Sequence, residues 1–239
     1  ESFPIFFKKV GELFMRSFFN LDSPLMQFLS KVADLMILNL IFIISCIPIF
    51  TIGPALTALN YVTLKMANNK DPYIIRSFFK SFRQNFRQAL IIWLVMLLFG
   101  GILWFDISHV WGAEGVINKV VQMLSIVAVI GYILALLYVF PVLAQFHNTI
   151  TKTLRNAVGI SLTVISRTIS MFVLIFACVL LTFYTIDTFK YCTFFWLTLG
   201  FSSLAYANSF LLKKTFAKYI EQPEEQDTLN HLEENKTEK

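Results

Sequence analysis

Arg76, Lys80, Arg83 and Arg87 recur at i, i+4, i+7 and i+11, a spacing that sets all four on one stripe of a helix. Such a stripe can lie against lipid headgroups, as on an elbow helix leading into the next span, or dock a cytoplasmic partner. Asp34, Asn39, Asn60 and His147 are the other candidates, each a polar group within or beside a long apolar run. An ionisable group inside a membrane span is a functional candidate by default. Asp34, however, stands near the end of its run with Lys31 three residues earlier, so a structural ion pair is favoured over a proton site. For Asn39 and Asn60, interhelical hydrogen bonding is a sufficient explanation. His147 can titrate near neutral pH but has no neighbouring carboxylate in the sequence, and a structural role is favoured.

No catalytic constellation joins these residues. The chain has no HExxH, GxSxG or P-loop and no paired acidic motif for metal-assisted transfer. His109, His147 and His231 are scattered, and the spacing of Asp106, His109 and Glu114 fits a solvated loop better than a metal site. Cys46, Cys178 and Cys192 lie in or beside apolar runs without ligand spacing and read as free, buried thiols. The expectation is a non-enzyme with no cofactor and no metal.

The elements that carry these residues are set by charge. Residues 35–64, 88–105, 120–151, 168–186 and 191–212 contain no Asp, Glu, Lys or Arg. An apolar stretch of about 18 residues or more spans the roughly 30 Å hydrocarbon core as a helix. Of the 239 residues, 56% are hydrophobic and 15% charged, against about 25% charged in soluble domains, so a membrane domain is indicated. The net charge of +5 does not signal nucleic-acid binding, because the cations flank apolar runs and act there as topology signals and headgroup contacts. No cleavable signal is expected, since the first apolar run is too long for one.

Residues 89–105, 120–144, 168–186 and 191–212 each read as one span. The run at 35–64 is too long for a single crossing and is broken by Pro48, Gly53 and Pro54. If residues 53–67 return across the membrane, every Lys and Arg except Lys119 and Lys190 falls on one side, as the positive-inside rule requires. If they do not return, the basic N-terminal segment and the basic loop at 65–87 face opposite sides. The expected fold is therefore an all-α polytopic bundle of six passes, five long spans plus a short returning helix, with both termini cytoplasmic. A re-entrant hairpin is the alternative for this short helix. Pro54 and Pro141, each followed by a basic helix, hint at an internal repeat.

The membrane domain is expected to cover residues 1–220. It would include an interfacial Phe-rich helix at 1–22 and a basic amphipathic elbow helix at 72–88. Residues 221–239 form an acidic tail expected to be disordered.

Several segments resemble the YesL family of bacterial membrane proteins. They are Leu38-Asn39-Leu40, then Ile47-Pro48-Ile49-Phe50-Thr51-Ile52-Gly53-Pro54-Ala55 with Ala58, Leu59 and Lys65. The Phe78-to-Phe86 stretch, Phe140-Pro141-Val142-Leu143-Ala144-Gln145-Phe146 and Asn156-Ala157 extend the likeness over roughly residues 10–215. The resemblance implies a plasma-membrane protein of uncharacterised function, encoded beside carbohydrate ABC importers, with no established catalytic residues. An accessory subunit contacting an importer permease or ATPase through its basic helices is the first expectation. A small-solute transporter or channel lined by the broken hairpin is the alternative.

Overall fold

The computed structural model describes residues 24–70, 73–110, 115–146 and 148–237, with side-chain surroundings as far as Tyr219. The interfacial helix expected at 1–22, Glu114 and the candidate His147 lie outside the described residues. The chain forms α1 (Pro24–Cys46), a 3₁₀ turn (Ile49–Thr51), α2 (Ile52–Ala67), α3 (Ile74–Val110) and α4 (Val116–Gln145). These are followed by α5 (Ile150–Thr163), α6 (Ile165–Phe183), α7 (Ile186–Phe195), a π turn (Trp196–Gly200) and α8 (Phe201–Thr237). No strand occurs among the described residues.

Five of the helical stretches are long and apolar enough to cross a membrane: Leu25–Cys46, Ile74–His109, Val116–Gln145, Ile165–Phe183 and Ile186–Tyr219. Their apolar side chains point largely outward, with Leu98, Trp104, Val127 and Phe183 each more than 60% exposed. A water-soluble bundle would bury such residues, so the solvent that covers them is lipid. The molecule is an all-α polytopic membrane bundle.

The short helix α2 is its centre. Gly53, Ala55, Thr57, Ala58, Leu59, Val62, Thr63 and Leu64 are all buried there. Leu64 belongs to the core shared with α3, α4 and α8, while Ala58, Leu59 and Val62 belong to the core shared with α1 and the start of α3. Most of these residues are small, and small residues let helix backbones approach where no hydrophobic effect drives association. Thr57 and Thr63 satisfy their own hydroxyls on the carbonyls of Gly53 and Leu59, both at 3.0 Å. Neighbours therefore shelter α2 on every side, which explains how a helix of 16 residues is accommodated.

The break expected at Pro48, Gly53 and Pro54 falls at Ile47–Thr51, and the three residues divide the work. Pro48 adopts φ −76°, ψ 120° and ends the path of α1. Gly53 and Pro54 sit in the first turn of α2, where the missing proline N–H removes no helical bond. Gly53 is needed for approach rather than for reversal. A Cβ there would lie 2.6 Å from the carbonyl oxygen of Ala89 and 2.6 Å from Cβ of Trp93, both on α3.

The broken backbone is satisfied from within. Thr51 Oγ1 donates to the carbonyls of Ser45 and Pro48, each at 2.7 Å, and the Thr51 N–H also donates to Pro48. The indole N–H of Trp93 donates to the carbonyl of Ile49 at 2.8 Å. Such satisfaction is what non-helical backbone at membrane depth requires. Ile47, Ile49 and Phe50 at the tip are apolar and exposed. Beyond Trp93, α3 runs on to Val110, roughly 25 Å further at 1.5 Å per residue.

Two expectations are corrected. The basic segment at 72–88 is not a separate elbow helix. Its described part opens the uninterrupted 37-residue α3, because no Gly or Pro separates the Phe-rich turns from the apolar run. The repeat has no counterpart in the fold: Pro54 opens α2, whereas Pro141 lies in the last turns of α4, and a break at residues 146–149 separates it from Lys152.

Candidate functional site

One end of the bundle gathers nearly all of its cations. The C-terminal end of α2, the start of α3, the end of α4, α5, the start of α6 and the middle of α8 meet there. Gln88 on α3 donates to the carbonyl of Asn148 at 2.6 Å, tying α3 to the segment leading into α5. Lys213 on α8 donates to the carbonyl of Ala67 at 3.1 Å and so caps the C-terminus of α2, a favourable place for a cation. Arg167 reaches Thr215 at 3.4 Å, and Thr163 is hydrogen-bonded to Tyr219. Arg76, Lys80, Arg83 and Arg87 on α3 and Lys152 and Arg155 on α5 are exposed here. The opposite face of α3 is buried through Ile74, Phe78, Ser81 and Asn85, with Phe78 stacked on Phe82. Among the described side chains, Asp34 is the only acid at this end.

The stripe on α3 is divided between different neighbourhoods. Arg76 borders a shallow groove of about 490 Å³ with Asp34, Tyr73 and Phe79. Asp34 thus faces the first turn of α3 as well as its own helix, a tertiary juxtaposition that spacing along α1 cannot reveal. Lys80 turns the other way, towards Lys65 and Lys70 at the end of α2. Arg83 and Arg87 are exposed and line neither of these spaces.

Asn39 is fully buried and works as a bracket. Its Nδ2 donates to the carbonyls of Trp196 and Leu197 at 3.0 and 2.9 Å, and its Oδ1 accepts from the N–H of Ser202 at 3.1 Å. Ser202 Oγ then donates to the carbonyl of Leu35 at 2.7 Å. These partners belong to the π turn and the start of α8, where the wider winding leaves backbone groups without their usual α-helical partners. Sequence reading misses this turn. The one available signal is Gly200 four residues after Trp196: a Cβ on Gly200 would lie 2.5 Å from the indole, which folds back over it. The same indole donates to Thr182 on α6 at 2.9 Å.

Asn60 donates to the carbonyl of Leu56 on its own helix at 2.8 Å. It also lines a partly open cleft of about 220 Å³ among α1, α2, α4, α6 and α8, with Asn208 as the other amide. The buried Oδ1 of Asn208 has no hydrogen-bond partner. The rest of the lining is apolar, Phe42, Phe140 and Met171 among it, and Pro48, Gly53 and Pro54 take no part. At the far end of the bundle, Asp106 belongs to α3 rather than to a loop and accepts a hydrogen bond from Ser125 of α4. The three cysteines are free.

Fold and charge distribution together define a multi-pass α-helical membrane protein with one strongly basic face. Residues 35–107 match the model of a family described as a protein of unknown function, DUF624, so the likeness covers most of α1, the hairpin and nearly all of α3. No curated protein and no solved structure matches the chain.

Proposed function

We propose that the protein is a non-enzymatic accessory subunit of the plasma membrane. In this reading it docks through its basic end onto a permease or ATPase subunit of a carbohydrate ABC importer. The observation that carries the docking reading is the outward presentation of Arg83 and Arg87 on α3 and of Lys152 and Arg155 on α5, two helices linked by Gln88, which reaches Thr153 at 3.5 Å. Charge mostly of one sign, with Asp34 the only acid at this end among the described side chains, favours an acidic partner surface and fast encounter with it. The choice of a carbohydrate importer as the partner rests on the resemblance to the YesL family. In this reading α1 crosses the membrane and α2 returns, so that the hairpin starts and ends on the basic side, which is cytoplasmic by the positive-inside rule; a re-entrant hairpin is the alternative. The alternative, a transporter or channel lined by the broken hairpin, has less support, because the hairpin's break takes no part in the cleft that holds Asn60 and Asn208.

Affinity purification of the tagged chain from native membranes tests the proposal. Importer subunits are expected in the eluate, and Arg83→Glu, Arg87→Glu and Arg155→Glu combined should lower their recovery about tenfold or more, the equivalent of at least 1.4 kcal/mol. Recovery unchanged by the reversal would reduce these residues to headgroup contacts. Recovery of nothing, together with sugar uptake by proteoliposomes holding this chain alone, would overturn the accessory reading.

A further inference from the structure

Lys65 on α2, Lys70 on the turn after it and Lys80 on α3 line a pocket of about 300 Å³ at the basic end, and none of its lining residues among the described residues is acidic. Its chemistry comes from Lys65, Lys70, Lys80, Gln84, Asn85 and Gln145. The way α2 ends builds the pocket. Asn69 takes the left-handed conformation with φ 53°, a place asparagine tolerates better than most residues. The N–H of Lys70 then donates to the carbonyl of Lys65 at 3.1 Å, and that of Asn69 to Met66 at 3.0 Å. This turn folds the chain back on itself and sets Lys70 beside Lys65. The Lys65 ammonium lies 4.6 Å from the centroid of the Tyr61 ring, a cation–π contact that holds its stem in place. From α3, Lys80 and Gln84 face the same space one turn apart, above the buried Asn85, whose Nδ2 donates to the carbonyl of Ser81.

The charges need a counterion. The C-terminal ends of α2 and α4 each bring about half a negative charge to this region, less together than three unit charges. The end of α2 is in addition already engaged by Lys213 and by the side chain of Asn68, which donates to Leu64 at 2.9 Å. Ammonium groups are point charges with donors in several directions, so they suit a tetrahedral oxyanion better than a flat carboxylate. The pocket also opens at the C-terminal end of α4, at Ala144 and Gln145. Basic pockets between membrane helices at the cytoplasmic side take lipid phosphates.

We propose that this pocket binds a phosphate oxyanion, carried by the headgroup of an anionic phospholipid or by a soluble phosphorylated compound. The site stands apart from the docking reading, whose residues Arg83, Arg87 and Arg155 do not line it and serve as controls.

The test is titration of the full chain, purified in a zwitterionic detergent, with phosphatidylglycerol and separately with inorganic phosphate, bound ligand being counted by native mass spectrometry. Oleate serves as an anionic amphiphile without phosphate. Lys65→Gln, Lys70→Gln and Lys80→Gln combined should weaken phosphate-ligand binding about tenfold or more, whereas Arg83→Gln, Arg87→Gln and Arg155→Gln combined should change it less than twofold. Lys70→Gln alone, on an exposed turn, should weaken it about threefold and keeps the test open if the triple variant fails to fold. Saturation by phosphatidylglycerol alone assigns the headgroup source, and saturation by inorganic phosphate assigns the soluble one. Equal loss in the two triple variants, oleate binding as well as the phosphate ligands, or binding of neither phosphate ligand would overturn the proposal.

Discussion

Gly53→Leu is expected to prevent assembly of the bundle, and Gly53→Ala to lower its stability by about 2–3 kcal/mol, the range for overpacking a tight interface. The atoms a new Cβ would strike explain the size of the effect. The Ala89 oxygen at 2.6 Å is backbone, and Cβ of Trp93 at the same distance is the first side-chain atom, so neither moves without shifting α3 itself. Trp93 also holds the carbonyl of Ile49 at the hairpin tip, so the shift would expose broken backbone in an apolar setting. Gly101→Ala is the internal control, because nothing lies within 4 Å of a Cβ placed there. It should be neutral or stabilising by up to about 1 kcal/mol through helix propensity. Thermal or denaturant unfolding of the two purified variants compares them directly, and equal destabilisation would contradict the close α2–α3 approach.

Asn39→Leu should cost about 2–4 kcal/mol. Leucine keeps the volume but strands two carbonyls and one N–H in the interior. Stranded buried groups cost about 1–3 kcal/mol each in soluble proteins, and hydrogen bonds between membrane helices average nearer 0.6 kcal/mol because the unfolded chain finds other partners. The estimate lies between those limits. Ser202→Ala removes one hydroxyl bond to Leu35 and should cost about 1 kcal/mol. Since Ser202 also donates its N–H to Asn39, the double variant should lose less than the sum of the singles. An Asn39→Leu variant within about 0.5 kcal/mol of the parent would mean that the π turn does not depend on this side chain.

Charge and apolar run length made much of this architecture readable from the amino acids alone. The charge-free runs supply the apolar stretches of the long helices, and Pro48 marks the break in the one run too long for a single span. The residues that escaped reading depend on contacts distant in sequence. Gly53 looks like a reversal point, yet its constraint comes from Ala89, visible only once α2 lies on α3. Lys65 and Lys70 look like the border of a loop, and they face Lys80 only because Asn69 folds the chain back. Helical spacing relates Asp34 to Lys31 on its own helix and reports nothing across the bundle, where Arg76 lines the same groove. The π turn escaped for a related reason: periodicity over 191–212 is that of one span, and the extra residue per turn is absorbed by a partner on α1.

The account depends above all on the hairpin returning to the side from which it starts. Single cysteines at Lys31, before the apolar part of α1, and at Lys70, after α2, test this in a chain whose native cysteines have been replaced. Both positions are exposed, and Lys119 provides the reference for the opposite face. A membrane-impermeant thiol reagent applied to sealed spheroplasts and to inverted vesicles should label Lys31→Cys and Lys70→Cys only in the inverted vesicles, and Lys119→Cys only in the spheroplasts. Labelling of Lys31→Cys and Lys70→Cys from opposite sides would contradict the hairpin and, with it, the single basic face.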